Sequence, residues 1–342
     1  MLVKYVIPAL LILLIPVLPL LAPWIQVVLI IALAKGIAVL GVTILLRAGQ
    51  VSFGHALFFA IAAYASAFLA QRAVGGEFFV MLFLGTIAAG LSGLLVGLFV
   101  VRYRGIFFGM LNLAFSMIFW SVLEKFYYLT GGADGIHVRR PTVLGLSLAR
   151  SEFETFLFYF AFVLALLLGW IALRFLNSPI GHLFQTVKTN ETRLQYLGVS
   201  PRRTLLIGYV FSAALCGVGG VLLASVQGIV TPDYAWWIRS GEMVFIAVLG
   251  GAGSVAGAFV GALAYELVRT YAAAFAADIW QMVLGTFLLV IILFAPGGMI
   301  GIYDLLMRRL FRIDRSAETP ATEPPAGEGP AAYRPAVEAK KP

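Results

Sequence analysis

Apolar residues run along this chain in long blocks that no charge interrupts. The blocks are Tyr5–Ala34, Phe78–Val101, Gly105–Leu123, Thr155–Leu173, Thr204–Pro232, Met243–Tyr265 and Ile279–Tyr303. A bilayer core about 30 Å thick takes roughly 20 helical residues to cross. The pattern predicts an all-α, polytopic bundle of transmembrane helices. A spanning barrel would show ~10-residue segments of strict alternation, and the sequence has none. Ten crossings are expected, at about 6–22, 25–46, 54–71, 78–101, 105–126, 155–174, 204–227, 234–250, 254–272 and 279–301. The first follows Lys4, lacks a convincing cleavage site and reads as a retained helix. The eighth is the weakest, because Arg239 and Glu242 interrupt it.

Polar residues gather between the blocks. The longest internal polar stretch is Arg174–Arg203, with Arg174, Lys188, Arg193, Arg202 and Arg203 against Glu191 alone. Short basic loops lie on the cytoplasmic side of a membrane. With the N-terminus inside, the cytoplasmic segments hold 13 bases and three acids, and the outer segments hold seven bases and nine acids. That asymmetry predicts both termini in the cytoplasm. Residues 1–303 then form a transmembrane domain with 178–200 as a helical platform, and 304–342 form a basic juxtamembrane segment and a Pro/Ala/Glu-rich disordered tail.

Composition agrees: 61% of residues are hydrophobic and 12% charged, far from a soluble balance. The net charge of +8 follows from the basic loops and implies no nucleic acid. Cys216 is the single cysteine, so there is no disulfide framework.

Candidate chemistry is sparse. His55, His137 and His182 lie in separate segments without metal-ligand spacing, and no catalytic set converges. No G-x-x-x-x-G-K-[ST] occurs, so any ATP hydrolysis belongs to another chain. Asn112, Ser116, Trp120 and Glu124 recur every fourth residue and share one helix face. Polar groups at membrane depth face a bundle interior or water, so this stripe is a candidate lining for a solute path; helix–helix hydrogen bonding is the alternative. Gln50, Ser52 and His55, in the Gly49–His55 hairpin, are further path candidates. Lys35 lies mid-span and must be buried against acceptors, or else its helix breaks at Gly36. Apart from His55 it is the one ionisable group expected deep in a span. Gly208, Ser212, Cys216 and Gly220 form a small-residue packing ridge. Pro232-Asp-Tyr-Ala-Trp-Trp suits the outer interface. Gly49-Gln-Val-Ser-Phe-Gly-His and Gly251-Ala-Gly-Ser-Val-Ala-Gly are alike at an offset of 202 residues, which also lays 78–101 on 280–303. An internal repeat with Gly-rich broken helices is common architecture for transporters.

Several motifs occur in a fixed order: GQVSFGHALFFAIAAY at 49–64, FFGMLNLAF at 107–115, LTGGADGI at 129–136, SPIGHLFQTVKTNETRLQYLGVSPRR at 178–203, Pro-Asp-Tyr at 232–234 before VLGGAGSVAGAFVGA at 248–262, and APGGMIG at 295–301. In these the chain resembles the LivM-type permease subunits of branched-chain amino acid ABC importers, over about Leu40–Tyr303. It departs from them in Thr186–Glu191 and in Asn112, where the family usually has Thr. The resemblance implies an inner-membrane subunit without cofactor, paired with a second related permease. Two cytoplasmic ATPase subunits would bind ATP, and a periplasmic solute-binding protein would deliver the solute. It also implies that Gly181, Asn190, Glu191 and Gly198, with Lys188 beside them, form the segment that couples to the ATPase through an amphipathic helix bearing Phe184, Val187, Leu194 and Leu197. The alternative for that helix is to lie on lipid. The solute would be a branched-chain or related amino acid; urea, amides or small carboxylates are alternatives. A stand-alone ion-coupled transporter would instead need intramembrane acids.

Overall fold

A computed structural model describes residues 15–21, 24–71, 76–275, 278–295 and 297–310. Most of the expected crossing 6–22, and the tail beyond residue 310, lie outside the described residues. Among the described residues, the helices of six residues or more are α1 Ile25–Arg47, α2 His55–Ala70, α3 Phe78–Val100, α4 Gly105–Lys125, α5 Arg150–Leu176, α6 Pro179–Thr189, α7 Glu191–Tyr196, α8 Pro201–Gln227, α9 Trp237–Gly250, α10 Val255–Phe275, α11 Trp280–Phe294 and α12 Gly298–Leu310.

Five of these, α1, α3, α4, α5 and α8, are long and apolar enough to cross a bilayer, and α9 with α10 makes a sixth candidate bent by 113°. α2 and α11 are apolar but shorter. The protein is a multi-pass, all-α integral membrane protein.

Burial sorts the spans. The most apolar stretches of α1 and α8 are 78% and 72% buried, those of α3 and α4 only 22% and 28%. α8 is the hub, packed on α1, α2 and α3. Helices associate in lipid through close backbone approach rather than a hydrophobic drive, and small residues supply it here. α3 buries Gly85, Ala89, Gly93 and Gly97 at four-residue spacing. Gly93 lies over Ala213 and Gly97 over Tyr209 of α8. The ridge Gly208–Gly220 is likewise buried, and the Cys216 thiol donates to the Ala38 carbonyl at 3.2 Å.

The connections segregate into two ends. At one end a strand β1, Ile136–His137, pairs antiparallel with β2, Ile229–Val230, and the Phe78 amide donates to Thr142. At the other end the 178–200 segment meets the end of α1 and the α3–α4 turn. There α6 and α8 start alike: Ser178 and Ser200 cap the helix, and a proline takes its first position, where a missing N–H costs nothing.

Candidate functional site

The loop between α1 and α2 does not stay at the surface. α1 closes with Gly49 at φ +74°, and the amides of Gly49 and Gln50 return to the carbonyls of Leu46 and Leu45. This is a Schellman turn, which needs the left-handed residue glycine tolerates. From there the chain climbs back into the bundle without helical structure until His55. Gly54 presses on the backbone carbonyl of Asn112, the eighth residue of α4 and so roughly 10 Å along that helix. Irregular backbone at that depth is tolerated only inside protein or beside water. This climb explains why α2 has just 16 residues.

The polar side chains of the climb are hydrogen-bonded. His55 Nδ1 meets Ser52 Oγ at 2.8 Å and its Nε2 meets Ser212 Oγ at 2.6 Å. The Tyr209 hydroxyl donates to Asn112 Oδ1, while Asn112 Nδ2 donates to Phe108 at 2.8 Å. The Gly105 amide donates to Gln50 Oε1 at 3.1 Å. Ser52, His55, Asn112, Ser116, Ser212 and Tyr209 are all buried.

A second segment enters from the opposite end. After β2, a 3-10 turn at Pro232–Ala235 leads into α9. Ser116 donates to the Ala235 carbonyl at 2.8 Å, and the Ala56 amide donates to Ser240 Oγ at 2.9 Å. The two entering segments therefore meet at the start of α2. The stripe on α4 spans both: its Asn112 faces the first segment, and its Ser116 and Trp120 face the second, with Trp120 and Trp236 rings 4.4 Å apart. Glu124, at the far end of the stripe, is half-buried.

Lys35 is buried against acceptors, as its depth requires, but the acceptors overturn two expectations. Its ammonium donates to Glu242 at 2.5 Å and to Glu266 at 2.7 Å. Arg239 flanks Glu242 at 3.4 Å and Arg269 flanks Glu266 at 3.5 Å. Lys35 is thus not alone at depth, and these four residues do not belong to outer loops. Without them the outer segments still hold five bases against seven acids, so the asymmetry survives. A lone intramembrane charge is too costly to leave unpaired; here five alternate in sign along one chain of contacts.

The 178–200 segment is tied to the bundle at several points. Glu191 takes a two-point hydrogen bond from Arg104, at 2.6 and 3.0 Å. Asn190 caps α7 by accepting from the Arg193 amide at 3.0 Å. Gly198, at φ +75°, repeats the Schellman turn of Gly49, with Val199 and Gly198 amides returning to Leu194 and Gln195. Gly181 sits against the Leu176 carbonyl, and the Lys188 stem lies on Gly49. With its amide oxygen toward α1, Gln185 accepts from Arg47 at 3.1 Å. Phe184, Val187 and Leu194 are buried in the protein's own core, with Phe184 over Gly208. They are not offered to a partner, which corrects the expected use of the amphipathic face. Leu197 and Tyr196 are exposed. An open groove of about 620 Å³ runs beside them, lined by Arg102, Arg104, Glu191, Gly198 and Arg202 among others. Sequence reasoning missed Arg104, Glu242 and Glu266 because their partners are 87, 207 and 231 positions away.

A protein-family model described as branched-chain amino acid transport system / permease component matches residues 25–293. The chain belongs to this permease family. It is 28% identical over 277 residues to the high-affinity branched-chain amino acid transport system permease protein LivM of Escherichia coli strain K12, a match covering 74% of this chain and 64% of that protein. It is 29% identical over 139 residues to LivH of the same strain, covering 40% and 44%. A probable LivH of Methanocaldococcus jannaschii is 26% identical over 212 residues, covering 58% and 65%. The chain thus spans somewhat less than two thirds of the length of the LivM protein and less than half of that LivH. No solved structure matches. The family match takes in the climbing segment, the α4 stripe, the charge chain and the 178–200 segment together.

Proposed function

We propose that the chain is the membrane permease subunit of an ATP-driven ABC importer for branched-chain or related amino acids, forming half of an alternating-access path. The family match across 25–293 carries this reading. Resemblance to proteins named LivM and to proteins named LivH supports a pair of related permeases in one complex. Two ATPase subunits bind ATP at the cytoplasmic face, and a periplasmic binding protein delivers the solute. The 178–200 segment is the coupling platform: Glu191, locked to Arg104, pulls on the α3–α4 turn. Gln50 carries that motion from Gly105 to Ser52, His55 and Asn112.

The topology proposed is ten crossings in the bacterial inner membrane with both termini in the cytoplasm. The segregation of loop contacts into two ends supports it. An internal repeat is supported by register, since α3 starts at Phe78 and α11 at Trp280, 202 positions on.

Reconstitution with the partner ATPases and binding protein in proteoliposomes tests the reading. Leucine uptake that requires internal ATP is expected. Uptake by this chain without ATP, driven by a proton or sodium gradient, would overturn it in favour of ion coupling, the second reading that buried Glu242 and Glu266 favour.

A further inference from the structure

Among the described residues, two buried side-chain polar atoms have no hydrogen-bond partner, the Tyr64 hydroxyl and Trp120 Nε1. Each is a donor left without an acceptor, which normally signals a missing partner. Both lie at one junction, where α2, α4 and the 232–235 turn pack on one another. Tyr64 is 2% exposed. Glu124 lies one helical turn beyond Trp120 on α4 and Asp233 lies in the 232–235 turn, so two carboxylates border the junction. Neither has an ion-pair partner among the described residues, and Asp233 is exposed while Glu124 is half-buried. The Trp120 and Trp236 rings, 4.4 Å apart, complete the junction. It lies at the end of the bundle opposite the 178–200 segment.

The inventory is complementary to one kind of solute. Two unsatisfied donors suit a carboxylate, because hydrogen bonds to ionised acceptors are the strong ones. Two carboxylates beside aromatic faces suit an ammonium group. The indole surfaces suit an apolar side chain. We infer that Tyr64, Trp120, Glu124, Asp233 and Trp236 form an entry site for a zwitterionic α-amino acid with an apolar side chain. The solute carboxylate accepts from Tyr64 and Trp120, and its ammonium donates to Glu124 and Asp233. This rests on the amino-acid reading above, which the uptake assay tests independently.

The test is a tryptophan-fluorescence titration of the full chain in lipid nanodiscs, with L-leucine, 4-methylpentanoate and isopentylamine as probes. Leucine should give a saturable change that Trp120→Phe abolishes, and should bind at least about tenfold more tightly than either singly charged analogue. The double variant Glu124→Gln/Asp233→Asn should weaken leucine at least about tenfold, and Tyr64→Phe about threefold. Glu124→Asp, which keeps the charge, should retain most of the affinity and shows that the fold is intact. No saturable change in the wild type, equal binding of leucine and the analogues, or unchanged leucine affinity in the double variant would each overturn the site. ATP-dependent leucine uptake by a complex whose titration fails would sink this inference and leave the importer reading standing.

Discussion

At the residue scale the buried charge chain makes the sharpest demands. Lys35→Met would leave Glu242 and Glu266 with only the longer contacts to Arg239 and Arg269. Breaking a buried pair from one side typically costs about 3–5 kcal/mol. We expect Lys35→Met to lower thermal stability in detergent strongly, with Lys35→Arg, which keeps the charge, retaining most of it. A Lys35→Arg variant no more stable than Lys35→Met would show that the charge is not the reason for the network. The stripe is tested by labelling. Cysteines at 112 and 116, with Cys216 replaced, should react with small water-soluble thiol reagents in one nucleotide state and be shielded in the other. Silence at both throughout the cycle would remove the stripe from the path and shift it to 49–55 and 250–257. That Lys35 needs acceptors was legible in the sequence, because a mid-span ammonium has no other option. Which acceptors was not, because Glu242 and Glu266 count with the outer segments in the sequence and lie 207 and 231 positions from Lys35.

At the scale of elements, the spans were legible and their breaks only partly so. Length and hydropathy found α1, α3, α4, α5 and α8 within a few residues. They did not show that the Gly49–His55 segment enters the bundle, since a Gly/Ser hairpin looks the same inside and outside. Likewise the period of α6 revealed one apolar face but not that this face packs on α8 through Phe184 and Gly208. The coupling platform yields a prediction of its own. The Arg104–Glu191 pair is partly exposed, at 26% and 31%, so its share of stability is small, within about 1 kcal/mol. Arg104→Ala and Glu191→Ala should therefore express and melt nearly as wild type, yet uncouple ATP hydrolysis from uptake to the same degree, with the double variant no worse than either. Gly198→Pro should also uncouple the two while the chain still inserts, because proline cannot take the left-handed turn there. Normal uptake by a well-expressed Gly198→Pro chain would dismiss the platform.

At the scale of the molecule, the arrangement of ends predicts where reporters will be seen. Fusions at Arg139, Lys188 and Arg315 should report outside, inside and inside. An outside signal at Arg315 would mean that α9 and α10 do not both cross. The positive-inside bias behind that expectation does not depend on the four charges withdrawn into the bundle, since they are two of each sign.

The climb of residues 50–54 has a further consequence, for biogenesis. α2 is too short to span alone, and its first turn is held by Ser212 and Ser240, which lie 157 and 184 positions downstream of His55 and Ala56. When α2 leaves the ribosome neither partner exists. Long-range contacts of this kind cannot form until the later segment is made. The first third of the chain must therefore wait in the membrane as an unfinished intermediate, with polar backbone that an insertase or chaperone has to shelter. Its assembly is timed by the arrival of α8 and α9. Nascent chains arrested just before residue 201 should remain crosslinkable to the insertion machinery at position 52, and chains extended past residue 260 should be released.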